Sequence, residues 1–230
     1  MKALLIAGLT VALVASAHAI TLGQLDNFES TTLQGWGNGG IGGSPVPTVT
    51  SGGPGGAADH FLQIASDSSG AGSRLTVFNR SQWLGNYIAF GVTAIEVDLR
   101  NSSNVTLSIR LAFKTSLAMG APAYLTQAAI LAPNSGWQHF TFSLAPANMI
   151  GVLGPPSYSA LFSGGMTEVR FINEAGAFNA TGDIVTAQLG IDNIHAVPEP
   201  ATIYSLGAGL TLLAFARARR RAARRSIRSR

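Results

Sequence analysis

Cysteine is absent from all 230 residues. That excludes disulfides, thiol catalysis and zinc-thiolate sites, so the chain must hold itself together by burial alone. Charge is scarce too, with Asp, Glu, Lys and Arg making up 11% of the sequence. Between Ile20 and Val197 six basic residues (Arg74, Arg80, Arg100, Arg110, Lys114, Arg170) face ten acidic ones, a net of −4. The overall charge of +4 and the pI near 10 therefore belong to the end of the chain. The central region offers no electrostatic basis for binding nucleic acid.

Catalytic constellations are missing as well. No Gly-x-Ser-x-Gly elbow occurs, and His60, His139 and His195 lie far apart without helical metal-ligand spacing. Gly37, Gly39 and Gly42 match a dinucleotide loop by letter, but Gly43-Ser44-Pro45 follows where a phosphate-binding helix would have to start. Glu96 and Asp98 fall two apart on one strand face, as in a glycosidase Glu-x-Asp-x-x-Glu pattern, yet position 101 is Asn and supplies no acid.

Strand periodicity is plentiful. Ile95, Val97 and Leu99 alternate with Glu96, Asp98 and Arg100, and Val105 to Phe113 repeats the arrangement. Asn101 to Asn104 between them predicts a hairpin. Further strands are expected at Phe61 to Ala65, Arg74 to Phe78, Tyr124 to Leu131, Gln138 to Leu144, Glu168 to Ile172 and Ala187 to Ala196. Gly35 to Gly56, Ala118 to Ala123 and Pro146 to Gly165 are poor in core-forming residues, and the first reads as a long mobile loop. Many short strands, turn clusters between them and no βαβ alternation predict an all-β fold: an antiparallel β-sandwich of jelly-roll type over residues 20–196.

Both ends carry targeting signals. Lys2, an apolar run from Ala3 to Val14 and small residues at Ala17 and Ala19 predict a secretory signal peptide, residues 1–19, cleaved after Ala19. At the other end stand Val197, Pro198, Glu199 and Pro200, then sixteen uncharged residues from Ala201 to Ala216, then a tail with eight arginines. That order predicts a short transmembrane helix with the arginines held inside and the body outside the inner membrane.

This tail, residues 197–230, resembles the PEP-CTERM sorting signal of exported bacterial proteins. The resemblance implies an exosortase-type membrane transpeptidase as partner, a transient stay in the inner membrane, and release to the cell surface or polysaccharide matrix in a structural or adhesive, non-enzymatic role. A second resemblance covers most of the body. Asp26-Asn27-Phe28-Glu29 with Gly35-Trp36, Gly136-Trp137, and Gly190-Ile191-Asp192-Asn193-Ile194 together resemble jelly-roll carbohydrate-binding modules. It implies a structural Ca²⁺ between Glu29 and Asp192 and a polysaccharide ligand as the alternative role; a glycoside hydrolase stands as a second alternative apart from this resemblance. Sugar stacking needs exposed aromatic faces, for which Trp36, Trp83 and Tyr87 are the leading candidates and Tyr124 and Tyr158 further ones. Trp137 heads a strand rich in Phe and is expected to pack in the core.

Overall fold

The computed structural model describes residues 19–38, 46–68 and 73–198. Residues 1–18 of the expected signal peptide, Ala17 among them, the sorting residues Glu199 and Pro200, the expected membrane helix and the arginine tail lie outside the described residues. Among the described residues no helix is long and apolar enough to cross a membrane.

Strands β1 (Leu25–Asp26), β2 (Trp36–Gly37), β3 (Thr48–Gly53), β4 (Gly56–Asp67), β5 (Thr76–Asn79), β6 (Ala94–Asn101), β7 (Leu107–Lys114), β8 (Ala123–Leu125), β9 (Ala129–Leu131), β10 (Gln138–Ser143), β11 (Ile150–Val152), β12 (Glu168–Asn173) and β13 (Thr186–Val197) build two antiparallel sheets. The front sheet runs β10-β6-β13-β4-β3, with β1 added to β13. The back sheet runs β11-β8-β7-β12-β5-β2, with β9 added to β7. One short helix, α1 (Tyr158–Phe162), is capped by the Ser157 hydroxyl. This is the expected antiparallel jelly-roll sandwich.

Alternation explains which side chains meet. Leu62, Ile64, Ile95, Val97, Leu99, Leu189 and Ile191 of the front sheet face Val77, Leu107, Ile109, Leu111, Phe113, Val169 and Phe171 of the back sheet, all buried in one core. Period-two strands place these residues on one side of each pleat, and two such faces can only be dried against each other.

Several expectations are corrected. β6 and β7 are not a hairpin: they lie in different sheets and face each other across the core. Asn101 holds that crossing, its Nδ2 donating to the carbonyls of Val105 (2.7 Å) and Ala132 (3.0 Å) while its Oδ1 accepts from Ser103 N–H (2.9 Å). The single strand expected at Tyr124 to Leu131 is two, because the Thr126 hydroxyl accepts the Leu111 N–H at 3.0 Å where a strand carbonyl would otherwise stand. Part of the glycine-dense segment is strand: β3 pairs with β4 through Val49↔Leu62 and Thr50↔Phe61, turning at Pro54-Gly55. The segment Pro146 to Gly165 also contributes to the core, through buried Leu161 and Phe162.

The outer face of the back sheet is closed. Glu168, fully buried, is bonded by Arg80 (2.7 Å), Arg170 (2.6 Å) and Lys114 (3.2 Å). Burial alone would raise its pKa, but the cations hold it below the usual carboxylate range. Arg110 reaches the carbonyls of Glu174 (2.8 Å) and Thr126 (2.7 Å), Arg170 reaches Ala180 (3.2 Å) and Arg74 reaches Gly182, which together lay the 174–183 loop over this face. A second small apolar cluster including Ala112, Leu125, Ile172 and Ala180 lies beneath it. Five of the six cations of the body are spent in this way. The sixth, Arg100, belongs to the front sheet.

Candidate functional site: the outer face of the front sheet

The outer face of the front sheet is open in part: Phe61 and Asp192 are buried on it, while Thr48 and His139 are exposed. In register across it lie Arg100, Gly190, Gln63 and Thr48, and beside them His139, Asp98 and Asp192. Trp137 leads into β10 on this side, out of phase with the inward Phe140 and Phe142. Its half-buried ring meets Phe61 edge-on at 5.0 Å between centroids, and the Arg100 guanidinium lies over both rings at 4.5 Å and 4.9 Å. Trp137 Nε1 and Arg100 Nη1 both donate to the Gly52 carbonyl, at 3.1 Å and 3.2 Å. Only glycine fits at position 190, because a Cβ there would stand 2.8 Å from the Trp137 ring and 3.2 Å from Phe61. The expectation that Trp137 packs in the core is thus corrected.

The stacking candidates are elsewhere. Trp36, Trp83 and Tyr87 are 2%, 0% and 0% exposed, so no sugar reaches them. Both indole N–H groups donate to one oxygen of Asp26, at 2.8 Å and 2.6 Å, and the Tyr87 hydroxyl donates to the Trp83 carbonyl at 2.8 Å. Burial pushes the Asp26 carboxyl up, against the opposing pull of the two indoles and Gln82, and pushes the Tyr87 phenol above its ordinary range. Tyr124 and Tyr158 are half-buried against Phe162, with their hydroxyls bonded to Pro156 and Leu144. These five aromatics are spent on the core and its margin.

An acidic cluster borders the Trp137 platform. Asp192 is fully buried; Oδ1 accepts the Asn193 N–H at 2.7 Å, while Oδ2 has no hydrogen-bond partner. Its pKa is pushed up to about 7, first by burial and then by the charges of Asp59, Asp98 and Glu29. Glu29 Oε1 accepts the His60 N–H at 2.8 Å, and this bond with a hydrogen bond to Asp59 holds its carboxyl down. Asp59 accepts the Gly55 N–H at 2.5 Å, and Gly53 lets the Asp59 and Asp192 carboxylates approach where a Cβ would collide. Glu29 and Asp192 therefore share one acidic neighbourhood, but Glu29 lies beyond the short strand β1 rather than in it, and Asp59 is the member sequence reasoning missed. Asp98 is held by His139 (2.9 Å) and Asn193 (2.8 Å), and Glu96 stands 3.8 Å from His195.

The donor set suits a hard cation: carboxylate oxygens, one of them buried and orphaned, under mutual repulsion. Among the described residues no three His, Asp or Glu side chains form a preformed metal group. Any ion here would take two carboxylates and complete its shell from carbonyls and water.

The sequence matches no family model and no curated protein. Solved structures share the fold. Part of an exo-β-agarase aligns over 77% of this chain at 12% identity with a TM-score of 0.53, and part of a second agarase over 78% at 12% identity with a TM-score of 0.51. A family 11 carbohydrate-binding module from a Clostridium thermocellum cellulase aligns over 77% of this chain and 95% of its own at 14% identity, with a TM-score of 0.49. The chain spans about a quarter of the length of the two agarases. At these identities the likeness is one of fold.

Proposed function

We propose that this protein is an exported, non-catalytic carbohydrate-binding sandwich that presents the outer face of its front sheet to a polysaccharide. The observation that carries the reading is the asymmetry of the two outer faces. One is sealed by a loop and five cations; the other is open in part, with Trp137, Arg100, Gln63, Thr48 and His139 in reach of solvent. An aromatic flanked by hydrogen-bonding groups is what a pyranose needs, its C–H surface against the ring and its hydroxyls on the polar neighbours. The sandwich shared with parts of two agarases supports the same direction. The glycosidase pattern at Glu96 and Asp98 lacks its third acid, since Asp98 is held by His139 and Asn193, and Asn101 is buried as a structural clamp.

Export is part of the proposal. The chain would be cut after Ala19 and held in the inner membrane by residues 201–216, with the body periplasmic. An exosortase-type transpeptidase would then process it at Pro198-Glu199-Pro200 and release it to the surface or matrix, where binding a polysaccharide would serve an adhesive role. A structural Ca²⁺ held by Asp192 and Glu29, in the acidic neighbourhood that Asp59 shares, would complete the fold.

The test is retention of the protein on a panel of agarose, mixed-linkage β-glucan and cellulose. Retention on at least one, lost in Trp137→Ala with an unchanged circular dichroism spectrum, is the expected result. A folded protein retained by none of a broad panel would leave only a structural role, and hydrolysis of any of them would restore the enzymatic reading.

A further inference from the structure

We propose that the end of the sandwich from which the chain departs at Pro198 rests on the lipid surface of the membrane that anchors it. The inference rests on the anchored reading above and adds a face and an orientation to it.

Topology identifies that end. β6 and β7 run in opposite directions on either side of the 102–106 connection, so the start of β6 at Ala94 and the finish of β7 at Lys114 lie together. Ala94 pairs with Val197, and Lys114 pairs with Glu168 at the start of β12. Four of the loops at this end are 20–24, 84–93, 115–122 and 153–157. The first two are bound to the departing strand through Gly23 N–H to Ala196 (2.7 Å) and Thr93 N–H to Val197 (3.1 Å), and to each other through Ile20 N–H to Leu84 (2.8 Å).

None of these four loops contains an Asp, Glu, Lys or Arg. They display Leu22 (50% exposed), Ile88 (50%), Phe90 (45%), Leu117 (54%), Met119 (57%) and Leu153 (51%). These are six of the eleven large apolar side chains exposed among the described residues, gathered on the tips at one end of the molecule. Glu96 and His195 stand back in a shallow pocket of about 450 Å³ beside Leu22 and Pro198, and Lys114 and Glu168 are buried against each other. Arg80, at the same end, is occupied by Glu168. Apolar tips without charge are suited to the boundary between lipid headgroups and acyl chains, where a formal charge would be costly.

Chain length supplies the occupant. Val197 is pinned in the sheet, and the uncharged run begins at Ala201. The four steps from Val197 to Ala201 reach at most about 14 Å at full extension. With that run in a bilayer, the end bearing the six side chains is held against the surface, while the open face of the front sheet stands at the side, clear of it.

The absence of cysteine makes the test direct. Full-length protein carrying a single Phe90→Cys or Ile184→Cys substitution is labelled with an environment-sensitive dye. It is then reconstituted into phosphatidylethanolamine–phosphatidylglycerol vesicles with nitroxide on a fraction of the headgroups. Ile184, 54% exposed, sits ahead of β13 at the opposite end. The expected result is flotation with the vesicles, a blue shift and nitroxide quenching of the dye at position 90, and neither change at position 184. Flotation with two equally unquenched dyes overturns the docking and leaves the anchor standing. Absence of flotation overturns the anchor and the docking together. A blue shift at position 90 that follows protein density and ignores the nitroxide assigns the surface to a second copy of the chain, and overturns the proposal.

Discussion

Two buried indole N–H groups share one oxygen of Asp26, which makes this carboxyl the polar pin of the aromatic core. Asp26→Ala strands both donors away from water, and about 2–5 kcal/mol of stability should go with them. Asp26→Asn keeps an acceptor in place and should lose much less; urea unfolding of the two variants separates these outcomes. Asp192 makes the opposite kind of contribution. Its carboxyl stays protonated in the folded chain up to about pH 7, whereas in the unfolded chain it ionises near 3.8. The folded state therefore binds more protons between those values, so this residue's contribution to stability is complete below about pH 4 and is lost as pH rises through 7. In EDTA, Asp192→Asn should flatten that fall in a series of melts from pH 4 to 8. An unchanged slope would mean that Asp192 is not the group responsible. Trp137 shows what was legible at this scale. The period-two phase of β10 already separates it from Phe140 and Phe142, but a cluster of aromatics reads as one core unless the phase is counted. Asp59 had no such signal, since its place beside Glu29 and Asp192 depends on how three strands meet.

Elements with clean alternation were legible in residue order. β6, β7, β12 and β13 fall within a few residues of where the pattern puts them. Two- and three-residue pieces such as β1, β2 and β11 carry too few positions to show a period, and β3 was obscured by the glycines around it. Partner choice was the larger loss. Alternation says which face of a strand is apolar and nothing about whether the next strand pairs beside it or stacks across from it. For β6 and β7 the choice is marked by Asn101, whose amide ties together the ends of two sheets. Asn101→Ala leaves the part-buried carbonyls of Val105 and Ala132 and the buried carbonyl of Leu131 without this donor, and about 1–3 kcal/mol should be lost. The denaturant slope should stay unchanged, because the same surface is buried. Gly190→Ala tests the platform in the same way. The added methyl must move Trp137 or the strand, at about 1–3 kcal/mol. A variant as stable as the parent, with unaltered Trp137 fluorescence, would show that the ring does not lie over β13.

For the whole molecule, the question is what stabilises a cysteine-free sandwich whose first and last segments meet. Glu29 follows the first strand, Asp59 comes from the β3–β4 hairpin and Asp192 from the last strand, so one acidic neighbourhood gathers three distant parts of the chain. Without a cation it is a site of repulsion and burial cost, as the raised pKa of Asp192 records. A Ca²⁺ ion would turn the same groups into a clamp between the ends. Binding to the folded state alone adds RT ln(1 + [L]/Kd), about 2.7 kcal/mol at a hundredfold excess over Kd. The midpoint of thermal unfolding should therefore rise steadily with added calcium and return when a chelator is added. Magnesium should do less, since it demands a tighter octahedral shell than an uneven set of carboxylates and carbonyls provides. Asp192→Asn should remove the calcium response. If the parent melts at one temperature in calcium and in EDTA, the three acids belong to the surface electrostatics of the front sheet alone, and the sandwich holds its ends together through β1 on β13 without help.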